Sequence, residues 1–402
     1  MPPRGGSGAR TAPPNPSGGA VATPGVRPAP VSPPSTRSLL TLGVEEEFLL
    51  VDARTFELAA KAATVLADAD DGSGTMHMEA TRFQVESASP IARTADEMHG
   101  QLLRLRRGFT EAAAARGCRL VASGTPVLRR LDEPVLADEP RRHVQRARFG
   151  EMTDTFVDCG CHVHVGTLDL DEAVRAADHL RPWLPTLIAL GANSPFKDGA
   201  DTGHASWRTV AGSVWPCSGI PPRMRTPERY LESLETLIST GTIMDAKMVY
   251  WDARPSMTWP TLEIRAPDVA MSVEEAVLQA VLARALVKAS LRAHEQGLPV
   301  PAVRDEVLAP ARWRAARDGL EGQALDPRTA ELVPAHALLD DLVVHLDDEL
   351  REAGDLDYVD ATLARLRRDG CGAHRQRKVF EERGRFTDVV RYLADVTEAR
   401  ER

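Results

Sequence analysis

Three glutamates, Glu45, Glu46 and Glu47, stand together inside an otherwise apolar run from Leu39 to Val51. An extended chain sends alternate side chains to opposite faces, so Glu45 and Glu47 share one face and Glu46 takes the other. Glutamate is disfavoured in strands, and two like charges on one face repel unless a cation or arginines hold them. A hard divalent cation bound by oxygen ligands suits such a pair, and a solvated sheet face with salt bridges suits it too. Thr261 to Ala266 alternates the same way, turning Leu262, Ile264 and Ala266 to a core and Glu263 beside Arg265 on the other face. There a carboxylate can hold a metal while a guanidinium forks onto phosphate or carboxylate oxygens, or the two can form a simple cross-strand ion pair.

Cys159-Gly160-Cys161-His162-Val163-His164 offers zinc-type ligands. Extended geometry opposes that reading, because the two cysteines would point one way and the two histidines the other, so the four cannot close one tetrahedron. A histidine lent to an oxygen-rich magnesium or manganese site is one alternative, and a hydrogen-bonded core histidine is the other. Asp158 reads as a charge at the strand end. Glu79 and Glu86 are seven residues apart; they can act together only if the chain turns between Ala80 and Arg82. Asn193-Ser194-Pro195-Phe196, followed by Asp201-Thr202-Gly203 and Ser206-Trp207-Arg208, reads as a polar loop with an embedded arginine, a common place for small-molecule contacts. The sequence contains no Walker A loop, no G-x-G-x-x-G opening a helix, no G-x-S-x-G and no H-E-x-x-H, so the nucleotide-fold, serine-hydrolase and zincin classes lose their usual support.

The elements that must position these groups are strands at 42–51, 157–166 and 258–266, far apart in sequence and therefore pieces of an antiparallel or mixed sheet. Thr94 with Glu97, and Ser272 with Glu275, have capping-box spacing. Met98, Leu102, Leu105 and Phe109 follow the first at helical spacing, and Val277, Leu278, Val281, Leu282 and Leu286 follow the second, so both predict packing helices. With no internal repeat and no interior linker, the pattern predicts one α+β catalytic domain over 39–402 with a mostly helical C-terminal third.

The chain has 402 residues, 43% hydrophobic and 27% charged, enough to bury a large core. Residues 1–38 hold ten prolines and six glycines with few large apolar side chains, which predicts a disordered tail. Beyond residue 40 the chain carries 45 basic and 58 acidic residues, a net charge of −13, so a nucleic-acid footprint is disfavoured. An acidic body that binds polyanionic phosphates needs metal ions between them. Five scattered cysteines argue against a disulfide framework and for the cytoplasm, and no apolar run reaches the roughly 20 residues of a membrane span.

Taken together, the strings resemble the carboxylate-amine ligase family, the second type of glutamate-cysteine ligase, among the glutamine synthetase-like ligases. The matching pieces are Gly43 to Glu47, Glu86-Ser87 with Ser89-Pro90, Cys161 to Val165, Asn193-Ser194-Pro195, Leu262 to Arg265, Arg312 to Arg317, and Gly372-Ala373 followed by Arg375-Gln376-Arg377. They run in order across roughly residues 39–400. The resemblance implies a funnel-shaped antiparallel sheet with packed helices, binding ATP and Mg²⁺ or Mn²⁺. By motif the metal ligands fall on Glu45, Glu47, Glu79, Glu86, His162 and Glu263. Arg265 contacts the transferring phosphate, and Asn193, Ser194, Arg208, Trp313 and Arg314 contact substrates, with Arg208 and Arg314 as candidates for the donor's carboxylate.

The chain departs from the family pattern at Pro310-Ala311, ahead of Arg312, and at His374. The implied activity joins L-glutamate to an amine such as L-cysteine, and relatives suggest a homodimer. A metal-dependent hydrolase of an amide or ester, using the same carboxylates, is the competing function.

Overall fold

A computed structural model describes residues 40–69, 75–128, 136–154 and 157–398. The expected tail, 1–38, lies outside the described residues.

The centre of the molecule is β1 (Leu42–Asp52), whose alternating apolar and acidic residues place it between two other strands. Five more strands complete the path: β2 (Met76–Met78), β3 (Gln84–Ala88), β5 (Cys161–Gly166), β6 (Ala253–Pro255) and β7 (Thr261–Ile264). Their order is β6-β7-β5-β1-β3-β2, and β4 (Cys118–Val121) pairs with the C-terminal half of β1. Every pairing in this sheet is antiparallel.

Register across the sheet sets Glu47 opposite Glu86 on β3, Glu45 opposite His162 on β5, and His164 opposite Glu263 on β7. Directly paired residues project to the same face, so the carboxylates and imidazoles form one continuous polar surface.

The opposite face is apolar apart from Glu46, which is buried there against Arg106. Leu42 and Val44 of β1, Val163 and Val165 of β5, and Leu262 and Ile264 of β7 join one buried cluster with the helix Val273–Glu295. The helix Ala95–Ala115 also packs there, through Met98 and Leu102. Both expected caps form, with Thr94 Oγ1 accepting from Glu97 N at 3.1 Å and Ser272 Oγ from Glu275 N at 3.4 Å. At the first, the Glu97 carboxylate reaches back to Arg93 N, one residue ahead of the cap. At the second, Glu275 instead pairs with Arg375 of the helix Gly372–Arg383 and ties the C-terminal helices to the core. Truncating a fully buried leucine such as Leu282 on this face costs about 2–5 kcal/mol.

The C-terminal third is helical from Asp305 to Thr397 apart from a small hairpin, Gln323–Leu325 with Leu332–Pro334. The described residues all belong to one compact unit.

Two expected strands prove shorter than 157–166 and 258–266. The backbone before Cys161 leaves the ladder, because Cys159 N bonds to Gly124 O and Cys161 N to Pro267 O. Pro260 and Pro267 bracket β7, and proline cannot donate to a ladder. The chain does turn between Glu79 and Glu86, at 81–83, so β2 and β3 lie side by side.

Candidate active site

Facing the polar side of the sheet are the helices Pro140–Phe149 and Trp207–Gly212 and the segment from Trp215 to Asp252. They enclose an open cleft lined by Glu47, Glu79, Asp158, Arg208, Arg265 and Arg312, among others.

Behind Glu47 and Arg265, which line it, the side chains of the sheet interlock. Glu45 Oε2 lies 3.3 Å from His162 Nδ1, and its Oε1 lies 3.3 Å from His164 Nε2. Glu47 accepts from Gly160 N at 2.6 Å and stands 3.8 Å from His162 Nε2. Glu263 is clamped by Arg254, at 2.7 and 3.1 Å, and by Arg265 on its other side. Arg265 also reaches His162 Nδ1 at 3.4 Å.

Gly160 is required where it stands. A Cβ there would lie 2.3 Å from an Arg208 Nη and 2.9 Å from His162 Nε2, so only glycine lets the arginine and the imidazole converge.

Electrostatics divide the carboxylates into two groups. Burial would raise Glu45, but hydrogen bonds and charge from His162 and His164 outweigh it and hold its carboxyl well below the usual range. Burial likewise opposes Glu263, and the charges of Arg265 and Arg254 hold it well below that range. Glu47 is pushed up to about 8 by burial, then by the charges of Glu79 and Asp158. Glu86 is pushed well up by burial, then by Glu79, Glu45 and Glu47. Burial, then Arg265, lowers the His162 imidazole to about 4. Asp158 is raised to about 7 by burial, against the pull of Arg208.

A divalent cation fits this arrangement on three counts. Ligand atoms of Glu45, Glu86 and His162 lie within 4.8 Å of one another, and so do those of Glu45, His164 and Glu263. His162 Nε2 is buried with no hydrogen-bond partner. The set is oxygen-rich with imidazole, which suits Mg²⁺ or Mn²⁺, and a cation there would relieve the crowding that raises Glu47 and Glu86.

Glu45, Glu86, His162 and Glu263 from the sequence reading therefore meet in these two groups. Glu47 sits beside His162, and Glu79 lines the same cleft with Arg142 at 3.7 Å. His164 enters a ligand group although the family motif placed the metal on His162 alone. Its signal was the H-x-H spacing, which puts both rings on one strand face.

The substrate-contact expectations fare unevenly. Arg208 lines the cleft, 3.4 Å from Asp158 and held by the carbonyl of Pro267 at 3.2 Å. Asn193 and Ser194 lie beneath the cleft, fully buried, rather than on its wall. Asn193 Nδ2 donates to Ala122 O and Val269 O, while Asn193 N and Ser194 Oγ both donate to Asp268. Gly372 packs on the Asn193 amide so tightly that a Cβ would come within 2.3 Å of its Oδ1, and Gln376 donates to the same oxygen at 2.7 Å.

In the run Arg312 to Arg317, Arg312 reaches the cleft, forking onto Asp252 at 2.7 and 3.0 Å. Arg314 turns away to Asp318 and Gln323 O, since one residue along a helix rotates a side chain by roughly 100°. Trp313 borders a neighbouring cavity instead. Asp158, read from sequence as a strand-end charge, lines the cleft, and Asp252 had no sequence signal at all.

Over residues 41–392 the chain matches the family model described as glutamate-cysteine ligase family 2. The chain belongs to that family. A Saccharopolyspora erythraea protein provisionally named glutamate–cysteine ligase 2-1 is 46% identical over 354 residues, covering 88% of this chain and 94% of the relative. A Salinispora arenicola protein provisionally named glutamate–cysteine ligase 2 is 44% identical over 346 residues, covering 85% and 90%.

Two solved structures share the fold of this family 2 chain. One is glutamate–cysteine ligase from Francisella tularensis in complex with AMP, with a TM-score of 0.65 and 11% identity over 91% of this chain and 90% of that one. The other is a bifunctional glutathione synthetase from Pasteurella multocida, with a TM-score of 0.63 and 16% identity. That match covers 90% of this chain and 52% of the other, so the chain spans about half of the bifunctional protein. The antiparallel α+β architecture expected from the motifs is thus the observed one. Among the described residues no helix is long and apolar enough to cross a membrane.

Proposed function

We propose that this protein is an ATP-dependent carboxylate-amine ligase of the glutamate–cysteine ligase type, working in the cytoplasm with Mg²⁺ or Mn²⁺. The observation that carries the reading is the joining of two carboxylate–imidazole groups, through the contacts of Arg265 with His162 and Glu263, to a cleft that Arg265 and Arg208 line. A carboxylate is a poor acyl donor until phosphorylated, so such a ligase must gather a nucleotide triphosphate and an anionic donor, and it needs positive charge to do so.

Glu45, Glu86, His162, His164 and Glu263 would hold the cations, with Glu47 and Glu79 beside them. When bound, the metal ions neutralise the charge of the triphosphate and of the phosphoryl group in flight. Arg265, fixed by Glu263, supplies a rigid guanidinium at the transferring phosphoryl group, and removing one such contact typically costs about 3 kcal/mol of barrier. Arg208 offers its fork to the donor's planar carboxylate.

In the first step a donor carboxylate oxygen attacks the γ-phosphorus, and ADP leaves with the electrons of the broken P–O bond. In the second, the amine nitrogen attacks the acyl carbon, the C–N bond forms, and phosphate leaves with the electrons of the acyl C–O bond. The nitrogen sheds a proton, and Asp158, ionising near neutrality on the cleft wall, is placed to take it.

ADP release measured across a matrix of carboxylate donors and amines, with hydroxylamine as a trap for the acyl phosphate, tests the reading. Hydroxamate formation dependent on ATP and glutamate supports it. Amide or ester hydrolysis without nucleotide would replace it with the hydrolase, a class absent among the relatives named above.

A further inference from the structure

A second, open cavity of about 520 Å³ adjoins the cleft and shares Thr209, Ser218 and Arg312 with it. Its walls are the short helix Trp207–Gly212, the turn through Ile220 and Pro222, and the helix Asp305–Asp318. None of the residues proposed above to hold metal or phosphate lines it.

Its chemistry differs from that of the cleft. Val210, Ile220, Pro222, Leu308, Ala309 and Trp313 present apolar surface. The charged groups on its rim are already paired: Arg181 with Asp305 and, by donation, Pro221 O at 2.8 Å, and Arg312 with Asp252 on the cleft side. No unpaired charge therefore invites an ionic ligand. Trp313, 48% exposed, is held in place by the edge of His204, 6.3 Å between ring centroids, and by Arg317, 5.6 Å from its ring centre. A large ring fixed beforehand and still open to water gains burial when an apolar group arrives, with little ordering cost.

We propose that this cavity seats the side chain of the acceptor, and that the acceptor is an amine bearing an apolar or aromatic side chain larger than that of cysteine. The inference rests on the ligase reading, because it needs a nucleophilic nitrogen delivered to the cleft. Thr209, Ser218 and Arg312 line both spaces, so on this reading an acceptor whose side chain lies against Trp313 and Leu308 extends its nitrogen past them into the cleft. Cysteine and smaller amines would leave the cavity filled only by water.

Ala309 is exposed on its helix, so Ala309→Trp narrows the cavity without disturbing the core. Two readouts are needed, phenethylamine and leucine against cysteine and serine as acceptors, and phenethylamine binding by calorimetry. In the unaltered protein kcat/KM for phenethylamine or leucine should exceed that for cysteine and serine at least tenfold. In Ala309→Trp it should fall at least tenfold relative to kcat/KM for hydroxylamine, which needs no side-chain pocket, and phenethylamine binding should weaken in step. Cysteine or serine preferred over every apolar amine, or binding of phenethylamine unchanged by Ala309→Trp, overturns the proposal while hydroxamate formation leaves the ligase reading standing. Absence of hydroxamate would instead overturn the ligase reading, and the calorimetric comparison would still decide whether the cavity takes an apolar amine.

Discussion

Arg106 forks onto both carboxylate oxygens of Glu46, at 3.1 and 2.5 Å, on the face of β1 turned away from the cleft. The same guanidinium donates to the carbonyls of Ala270 and Met271, so one buried ion pair ties the central strand to the segment that follows β7. Of the three consecutive glutamates, the middle one is thus structural. Glu46→Gln leaves Arg106 buried and uncompensated, and should lower stability by about 3–5 kcal/mol. The double variant Glu46→Leu with Arg106→Leu should recover most of that loss in thermal unfolding, because no charge then remains buried.

Glu263 neutralises two guanidiniums at once, those of Arg254 and Arg265. Glu263→Gln should therefore reduce ADP formation by about 100-fold or more and also lower the melting temperature, a double effect that strand alternation does not foretell. Arg265→Lys keeps the charge and loses the fork; it should retain the melting temperature while losing a similar share of ADP formation. Normal turnover in either purified variant would sink the site assignment.

The metal-free protein should lose stability as pH rises. Glu47 and Glu86 have folded-state pKa values above their unfolded ones, so their contribution is fully present at low pH and disappears as pH climbs through the folded values, about 8 for Glu47. In chelator the melting temperature should fall between pH 6 and pH 9 by an amount worth a few kcal/mol, since each tenfold difference in proton affinity between folded and unfolded chains is worth about 1.4 kcal/mol. Saturating Mg²⁺ or Mn²⁺ should restore it, most strongly at the high-pH end, since ligation displaces the protons. A melting temperature that rises over that range without metal contradicts the electrostatics described for the site.

Asp158 should govern the acid limb of turnover. Its carboxylate form, the one able to accept a proton, is lost as pH falls below about 7. Asp158→Asn should slow amide formation by about 10²- to 10⁴-fold and abolish that limb in the pH–rate profile. A profile unchanged in the variant removes Asp158 from the reaction.

Asn193 tests the boundary between site and scaffold. Its amide bridges Ala122 O, Val269 O and Gln376, all buried. Asn193→Ala should lower the melting temperature by several degrees and leave KM for the donor unchanged; a raised KM without a stability loss would return it to the cleft wall.

Patterns confined to one element were legible in the sequence. The period of two assigned Glu45 and Glu47 to one face and Glu46 to the other, and faced Glu263 and Arg265 away from Leu262 and Ile264. Cap spacing located both long packing helices. The burial of Asn193 and Ser194 was not legible, because polar residues in a loop look alike whether they meet a ligand or satisfy buried backbone. Which of Arg312, Trp313 and Arg314 faces the cleft was not legible, because the phase of a charged helix relative to a cavity is not written in its own composition.

Sequence alone determined the kinds of groups present and the face of its own strand that each occupies, since backbone geometry is local and imposes alternation without reference to the rest of the chain. Only the tertiary structure decided their partners. The antiparallel register brought Glu45 opposite His162 and Glu263 opposite His164 across more than a hundred intervening residues in one case and about a hundred in the other. It also buried Asp158 beside Arg208 and set Trp313 rather than Arg314 on the second cavity. Pairing, burial and pKa are properties of juxtaposition, and juxtaposition is fixed by packing of the whole domain.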